Sequence, residues 1–240
     1  MKHRTRLLFA LLVPALLGWC AMATAEPYIA VREGLKCAAC HVNPSGGGMR
    51  TAYGDIYAQT RLPARTVDLG TNEPWTGAVN RWLGIGADWR GTASYTDIPK
   101  QEAQSAFETQ ELRAYLAATL LPDRLLLYVD QRFAPGGSSN LEAYARLSTQ
   151  DGRYTLKAGQ MYLPYGLRLE DDSAFIRQVP GINFNTPDTG VELGYEDGNW
   201  TAQLALSNGT AGGAEQNRGK QASLYGAYVR QSWRLGGSFN

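Results

Sequence analysis

The sequence predicts a mainly β chain: an antiparallel up-and-down β-barrel of at least eight strands behind a small cysteine-bearing N-terminal module. Three observations predict it. From residue 79 onward apolar and polar residues alternate in segments of about ten. The connections between those segments are long and short in turn. The one conspicuous motif, Cys37-Ala38-Ala39-Cys40-His41, stands apart from all of this near the N-terminus.

Residues 1–25 read as a signal peptide. Lys2, Arg4 and Arg6 form a basic start, and Leu7 to Trp19 is an apolar run too short to span a bilayer comfortably. Ala23-Thr24-Ala25 supplies small residues at a cleavage position. Cys20 raises a lipoprotein alternative, but Trp19 is bulky where lipoprotein processing wants a small residue. With Lys2, Arg4 and Arg6 removed, 23 basic and 22 acidic residues become 20 and 22, a net charge of about −2. That balance gives nucleic acid no basic footprint. The mature chain keeps Cys37, Cys40, His41, Met49 and Met161 as its soft or imidazole ligands.

Residues 26–63 form the short Cys-bearing module, with Gly46-Gly47-Gly48 inside it. Residues 64–78 read as a linker. From 79 to 240 the period is two, the signature of strands. In 111–120, Leu112, Ala114, Leu116, Ala118 and Leu120 share one face, and Glu111, Arg113, Tyr115 and Thr119 the other. The pattern repeats at 125–133, 141–148 and 153–162, where Tyr154, Leu156, Ala158 and Tyr162 are set on the apolar face. It recurs at 82–95, 189–196, 199–207 and 222–233.

A soluble β-sandwich with one wet face is the plainer reading. Charges of both signs in mid-strand, opposite a face of Leu, Ala, Val and aromatics, favour a lipid-facing wall around a polar lumen. Mean hydropathy is −0.31, and no segment after residue 25 has the apolar run of a membrane helix.

The connections at 97–105, 134–140, 164–187 and 208–220 are the longer ones. Tight turns are expected at Pro122-Asp123, Asp151-Gly152, Asp197-Gly198 and Gly236-Gly237. Outer-membrane barrels put short turns on the periplasmic side and long loops outside. Residues 238–240 would then begin a ninth strand, so the chain reads either as the N-terminal part of a larger barrel or as an eight-stranded barrel with a tail. The loop 164–187, with Arg168, Glu170, Asp171, Asp172 and Arg177, is long enough to fold into the lumen. Its acidic run could attract cations, though such runs are commonly just solvated.

Two thiols spaced as Cys37 and Cys40 can each form a thioether to a haem vinyl group, and His41 follows as proximal iron ligand. A redox disulfide would call for a βαβ context, and a zinc site for more Cys or His than the mature chain has. No other mature histidine exists, so bis-His ligation within the chain is excluded. Met49 is a candidate sixth ligand. Alternatively it heads an apolar helical stripe with Tyr53, Ile56 and Tyr57, and the iron is five-coordinate, water-bound or completed by a partner. Met161 falls on the lumen face of its strand.

The lead Pro27-Tyr28-Ile29-Ala30-Val31-Arg32-Glu33-Gly34 into Cys37–His41 resembles the fused monohaem cytochrome–porins of the bacterial outer membrane. Leu163-Pro164-Tyr165-Gly166 and Gly190-Val191-Glu192-Leu193-Gly194 through Asn208-Gly209 resemble porins of the phosphate-selective type. The resemblance implies an electron carrier rather than a substrate-converting enzyme, with one covalent haem c. It would take electrons from an extracellular donor such as ferrous iron and pass them to a periplasmic carrier such as a soluble cytochrome. The chain differs from that pattern over Asn43–Arg50. Two other functions fit the residues: a porin passing small solutes with a haem-bearing plug, and a soluble periplasmic cytochrome on a β-sandwich.

Overall fold

The computed structural model describes residues 27–62, 73–168 and 186–240. The expected signal peptide lies outside these residues, as do residue 63 of the module, positions 64–72 of the linker and the run Glu170-Asp171-Asp172 with Arg177.

Among the described residues three short helices come first: α1 (Pro27–Glu33), α2 (Cys37–Cys40) and α3 (Ala52–Arg61). Ten strands follow: β1 (Ala78–Asn80), β2 (Leu83–Thr96), β3 (Gln104–Leu121), β4 (Leu125–Ala134), β5 (Ser139–Ser148), β6 (Tyr154–Met161), β7 (Asp188–Asp197), β8 (Trp200–Ser207), β9 (Gln221–Arg230) and β10 (Trp233–Phe239). They form one antiparallel sheet in sequence order.

β1 and β10 are its two edges and do not pair, so the sheet is not closed into a barrel. β1 has only three residues, too short an edge to carry a closing ladder, and it meets β2 only at Leu83 and Gly84.

Several expected boundaries move. β3 begins at Gln104, well before 111, and pairs with β2 throughout. The last hairpin turns at Gln231-Ser232, where Gln231 takes φ 50°, not at Gly236-Gly237. Those two glycines lie inside β10, because a Cβ at Gly236 would come within 2.9 Å of the Gly226 carbonyl. Gly236 marks close backbone approach rather than a turn, whereas a Cβ on Gly237 would meet nothing within 4 Å. The connections at 81–82, 122–124, 149–153, 198–199 and 231–232 share one end of the sheet, here the turn end. Those at 97–103, 162–187 and 208–220 share the other, the loop end, together with a four-residue link at 135–138 that is shorter than expected.

The sheet's polarity is inverted relative to a water-soluble protein. Arg113, Lys157 and Glu192 are each 1 % exposed, while Leu193 and Leu206 are 59 % and 52 % exposed. Cross-strand pairing aligns Leu147, Leu156, Leu193, Leu204, Leu224 and Phe239 in one outward row over β5–β10. On the inner face Arg146, Lys157 and Glu192 stand side by side.

Buried charge is tolerable only when paired, and here it is. Arg113 grips Asp130 through both Nε (3.1 Å) and Nη2 (2.5 Å) and reaches Glu111 with Nη1 at 2.9 Å. Lys157 Nζ sits 2.9 Å from Glu192.

The alternation fails at two expected positions. Tyr162 is buried, not on the outer face, because β6 ends at Met161 and the chain then turns inward through Leu163 and Pro164. Leu141 is buried because it is the extra residue of a bulge: Glu142 opposes Asp130 while Asn140 opposes Gln131.

A cysteine–histidine cavity inside the sheet

The N-terminal segment fills the sheet's polar face. Its centre is a hairpin at 41–50, closed by a bridge between His41 and Arg50 and by Val42 N–H donating to the Met49 carbonyl at 3.0 Å. The tip, Asn43 to Gly48, needs glycine. Gly46, Gly47 and Gly48 have φ of +89°, +68° and +63°, in the left-handed region that side chains avoid. Space forbids a side chain as well: a Cβ on Gly47 would lie 2.6 Å from Arg168 Nε, and one on Gly48 2.6 Å from the Tyr128 hydroxyl.

The strands supply the hairpin's hydrogen-bond partners. Asn43, fully buried, donates to Glu142 Oε1 at 2.8 Å, and its own oxygen accepts from Lys157 at 3.4 Å. Arg146 donates to the Val42 carbonyl at 2.5 Å, and Met49 N–H donates to Tyr128 Oη at 3.0 Å. Arg168, from the chain after β6, donates to the Gly46 carbonyl at 2.8 Å and to Glu142 Oε2 at 3.1 Å, with its guanidinium 3.9 Å from the Tyr162 ring centroid. The expected infolding of the long loop is thus present over Tyr162–Arg168.

Cys37 and Cys40 open and close the single turn of α2. His41 N–H donates back to the Cys37 carbonyl at 3.0 Å, after which the backbone is extended. Thr51 ties this turn to α3. Its N–H donates to the Cys40 carbonyl (3.0 Å), its hydroxyl donates to the Ala39 carbonyl (2.8 Å), and the same hydroxyl caps α3 by accepting from Gly54 N–H. α3 crosses so closely that a Cβ on Gly54 would stand 2.2 Å from the Cys40 carbonyl oxygen.

Cys37, Cys40 and His41 line one cavity of about 560 Å³. Its other walls come from Ile29 and Ala30 of α1, Tyr57 and Ala58 of α3, Asp88–Arg90 of β2, Tyr162–Arg168, Tyr225 of β9 and Arg234 of β10. The edge strand β10 and β2, the strand next to the other edge, therefore reach the same cavity. Burial pushes the Cys40 thiol up, and neighbouring Cys37 adds to this while Arg50 opposes it. Both cysteines are free thiols, and Arg234 Nη1 lies 3.4 Å from Cys37 Sγ.

These residues suit a covalent haem. Two thiols on one helical turn, a histidine next in sequence and a half-open cavity of small-molecule size are what the attachment requires. Cys37, Cys40 and His41 would hold the group.

Met49 is placed elsewhere. It is buried against β2 and β3, its Cε 2.8 Å from where a Gly84 Cβ would be and its Cγ 3.7 Å from that of Gly86, and it does not line the cavity. Nor does it belong to α3, which starts at Ala52. Met161, on the inner face as expected, packs in the same buried cluster as Met49, Tyr115, Tyr128 and Tyr144.

Sequence reasoning gave no part in the site to Asn43, Thr51 or Arg168. The first two carry local signals, an Asn-Pro-Ser-Gly turn and a threonine at a helix start. Arg168 has none, since its role depends wholly on long-range packing. Compared with protein-family models and with curated proteins, the chain matches none, so motif and geometry carry the functional reading.

Proposed function

We propose that this protein carries electrons across a bacterial outer membrane, using one haem c held by Cys37, Cys40 and His41 inside a porin-like β wall. The observation that carries the reading is one juxtaposition. The Cys-x-x-Cys-His motif lines a cavity on the charged inner face of a sheet whose outer face is apolar. An outward leucine row is costly in water and at home in lipid. β4, β5, β7 and β9 have ten residues each, the length a tilted strand needs to cross the hydrocarbon core. At the turn end Trp200, Tyr228 and Trp233 pack together, with ring centroids 4.8 and 5.6 Å apart, beside a Tyr154–Tyr195 pair at 5.3 Å. Aromatic girdles of this kind mark the membrane–water interface. In lipid the edges at β1–β2 and β10 must be paired, and the proposal includes that pairing.

When bound, the haem supplies a one-electron couple. The chain's own residues supply the rest. Thr51 and Gly54 fix the turn that presents the two thiols. The 41–50 hairpin fills the lumen beside them, and Tyr162–Arg168 shield the cavity from the loop end. That filling disfavours the solute-porin alternative, and a single sheet with an exposed apolar face disfavours the sandwich.

The test has two parts. Mature protein from cells that make c-type cytochromes should keep haem through denaturing electrophoresis, and Cys37→Ala/Cys40→Ala should lose it. In sealed vesicles, an impermeant reductant outside should reduce the protein and then an acceptor trapped inside. A haem-free mature chain, or extraction into buffer without detergent, would sink the reading.

A further inference from the structure

On the far side of the helical module from the sheet, a second hollow of about 410 Å³ lies between α1 and α3, lined by Arg32, Glu33, Tyr53, Ile56, Tyr57, Thr60 and Arg61. We propose that this groove is the docking face for a soluble one-electron carrier whose contact surface is acidic around an apolar centre. The inference rests on the electron-transfer reading above and adds the place and chemistry of the partner.

Position is the first argument. Tyr57 lines both the groove and the Cys37–Cys40–His41 cavity, so one side chain separates them. The 41–50 hairpin, by contrast, packs among the strands.

Orientation is the second. A Cβ on Gly34, just after α1, would come within 2.6 Å of the Gln231 carbonyl in the last tight turn. Lys36 pairs with Glu196 at 2.5 Å, next to the β7–β8 turn. Gln59 of α3 is bonded to both backbone groups of Trp75, just before β1. The module therefore sits at the turn end. In outer-membrane barrels the turn end faces the periplasm, where a soluble carrier moves.

Surface chemistry is the third. Tyr53 is 50 % exposed and Ile56 is exposed beside it, an apolar centre. Glu33, the groove's acid, is held by Arg32 Nε at 3.2 Å and by the Tyr57 hydroxyl at 2.9 Å. Among the described residues Arg61 has no ion-pair partner. In the groove itself two cations, Arg32 and Arg61, stand against one acid, Glu33; Lys36 is taken up by Glu196, and Arg50 lines the other cavity. A basic rim around aromatic and aliphatic contacts fits an acidic partner, and small, weak, electrostatically steered interfaces are usual for electron carriers. In the exchange one partner is oxidised by one electron as the other is reduced; no bond forms and no proton moves.

The experiment uses the holoprotein in detergent, with haem content measured first, so that loss of haem is recognised as failure of the reading beneath. Chemically reduced protein is mixed by stopped flow with an acidic ferric monohaem cytochrome, and separately with a basic one, at low and high salt. The acidic probe should react faster, and Arg32→Glu/Arg61→Glu should slow it about tenfold at low salt while flattening the salt dependence. Arg218→Glu, in the 208–220 connection at the loop end, should leave the rate unchanged. A rate insensitive to the double variant, an equal loss in Arg218→Glu, or no preference for the acidic probe would each overturn the proposal.

Discussion

The Asn43 amide and the Glu142 carboxylate, ninety-nine positions apart in sequence, meet at 2.8 Å with both side chains fully buried. Glu142 also accepts from Arg168 and from the Tyr162 N–H, so one carboxylate joins the hairpin, β5 and the chain after β6. Asn43→Ala removes one donor from a buried charge, a loss of about 1–3 kcal/mol. The expected outcome is a lower unfolding midpoint in detergent and faster protease cleavage near residues 41–50. An unchanged midpoint would mean that the contact is dispensable.

Gly48→Ala meets two obstacles at once, a left-handed φ and the Tyr128 hydroxyl. Strain alone costs about 1–2 kcal/mol. Tyr128→Phe removes the obstructing oxygen but not the strain, so Gly48→Ala/Tyr128→Phe should be more stable than the sum of the two single effects predicts. A double-mutant cycle on thermal unfolding measures this directly.

On the haem reading proposed above, Met49→Leu should leave the visible spectrum of the ferric haem unchanged, and it should cost less than about 1.5 kcal/mol, as volume-conserving core swaps do. Met49→Ala should cost about 2–5 kcal/mol. A spectral change in Met49→Leu would show that the thioether reaches the iron after all.

Leu204 lies between Leu193 and Leu224 on the outward row. Leu204→Arg should cost about 2–4 kcal/mol when the protein is folded in a bilayer and much less in a soluble fold. Urea titration of folding into lipid vesicles separates the two.

Burial raises the pKa of Asp55 in α3, with Arg50 opposing and Asp88 adding to the effect. A carboxyl with a raised folded-state pKa loses stability as pH rises above its ordinary value, because the unfolded chain ionises first. Asp55→Asn should therefore raise the melting temperature at pH 7. The gain should fade as pH falls through the ordinary carboxylate range, and a gain that persisted at low pH would point to another cause.

Much of this was legible in the sequence, and the exceptions have physical causes. Alternation marked the strands because period two is a local property. It even marked the inverted polarity, through pairs such as Leu112 beside Arg113. Gly236 was misread because a glycine that admits close backbone approach looks, in sequence, like one that turns. β1 was missed because three residues show no period. The Cys37–Cys40–His41 motif was local and visible. Its setting was not: nothing near Gly46 announces that Arg168 will meet its carbonyl, or that Tyr128 will occupy the place of a Gly48 side chain.

The three consecutive left-handed glycines carry one more consequence. Within 41–50 the bonds are few: Val42 N–H to the Met49 carbonyl, Gly46 N–H to the Asn43 carbonyl and Ser45 N–H to the Asn43 side chain. The Asn43 amide, the Gly46 carbonyl and the Met49 N–H bond to β5, Arg168 and β4, so the hairpin leans on the sheet for its shape. Its backbone amides should exchange with solvent only when strands and hairpin open together. The segment that carries the Cys-x-x-Cys-His motif and the wall around it then form one cooperative unit. The slowest amides of the hairpin should report the same opening free energy as those at the centre of the sheet.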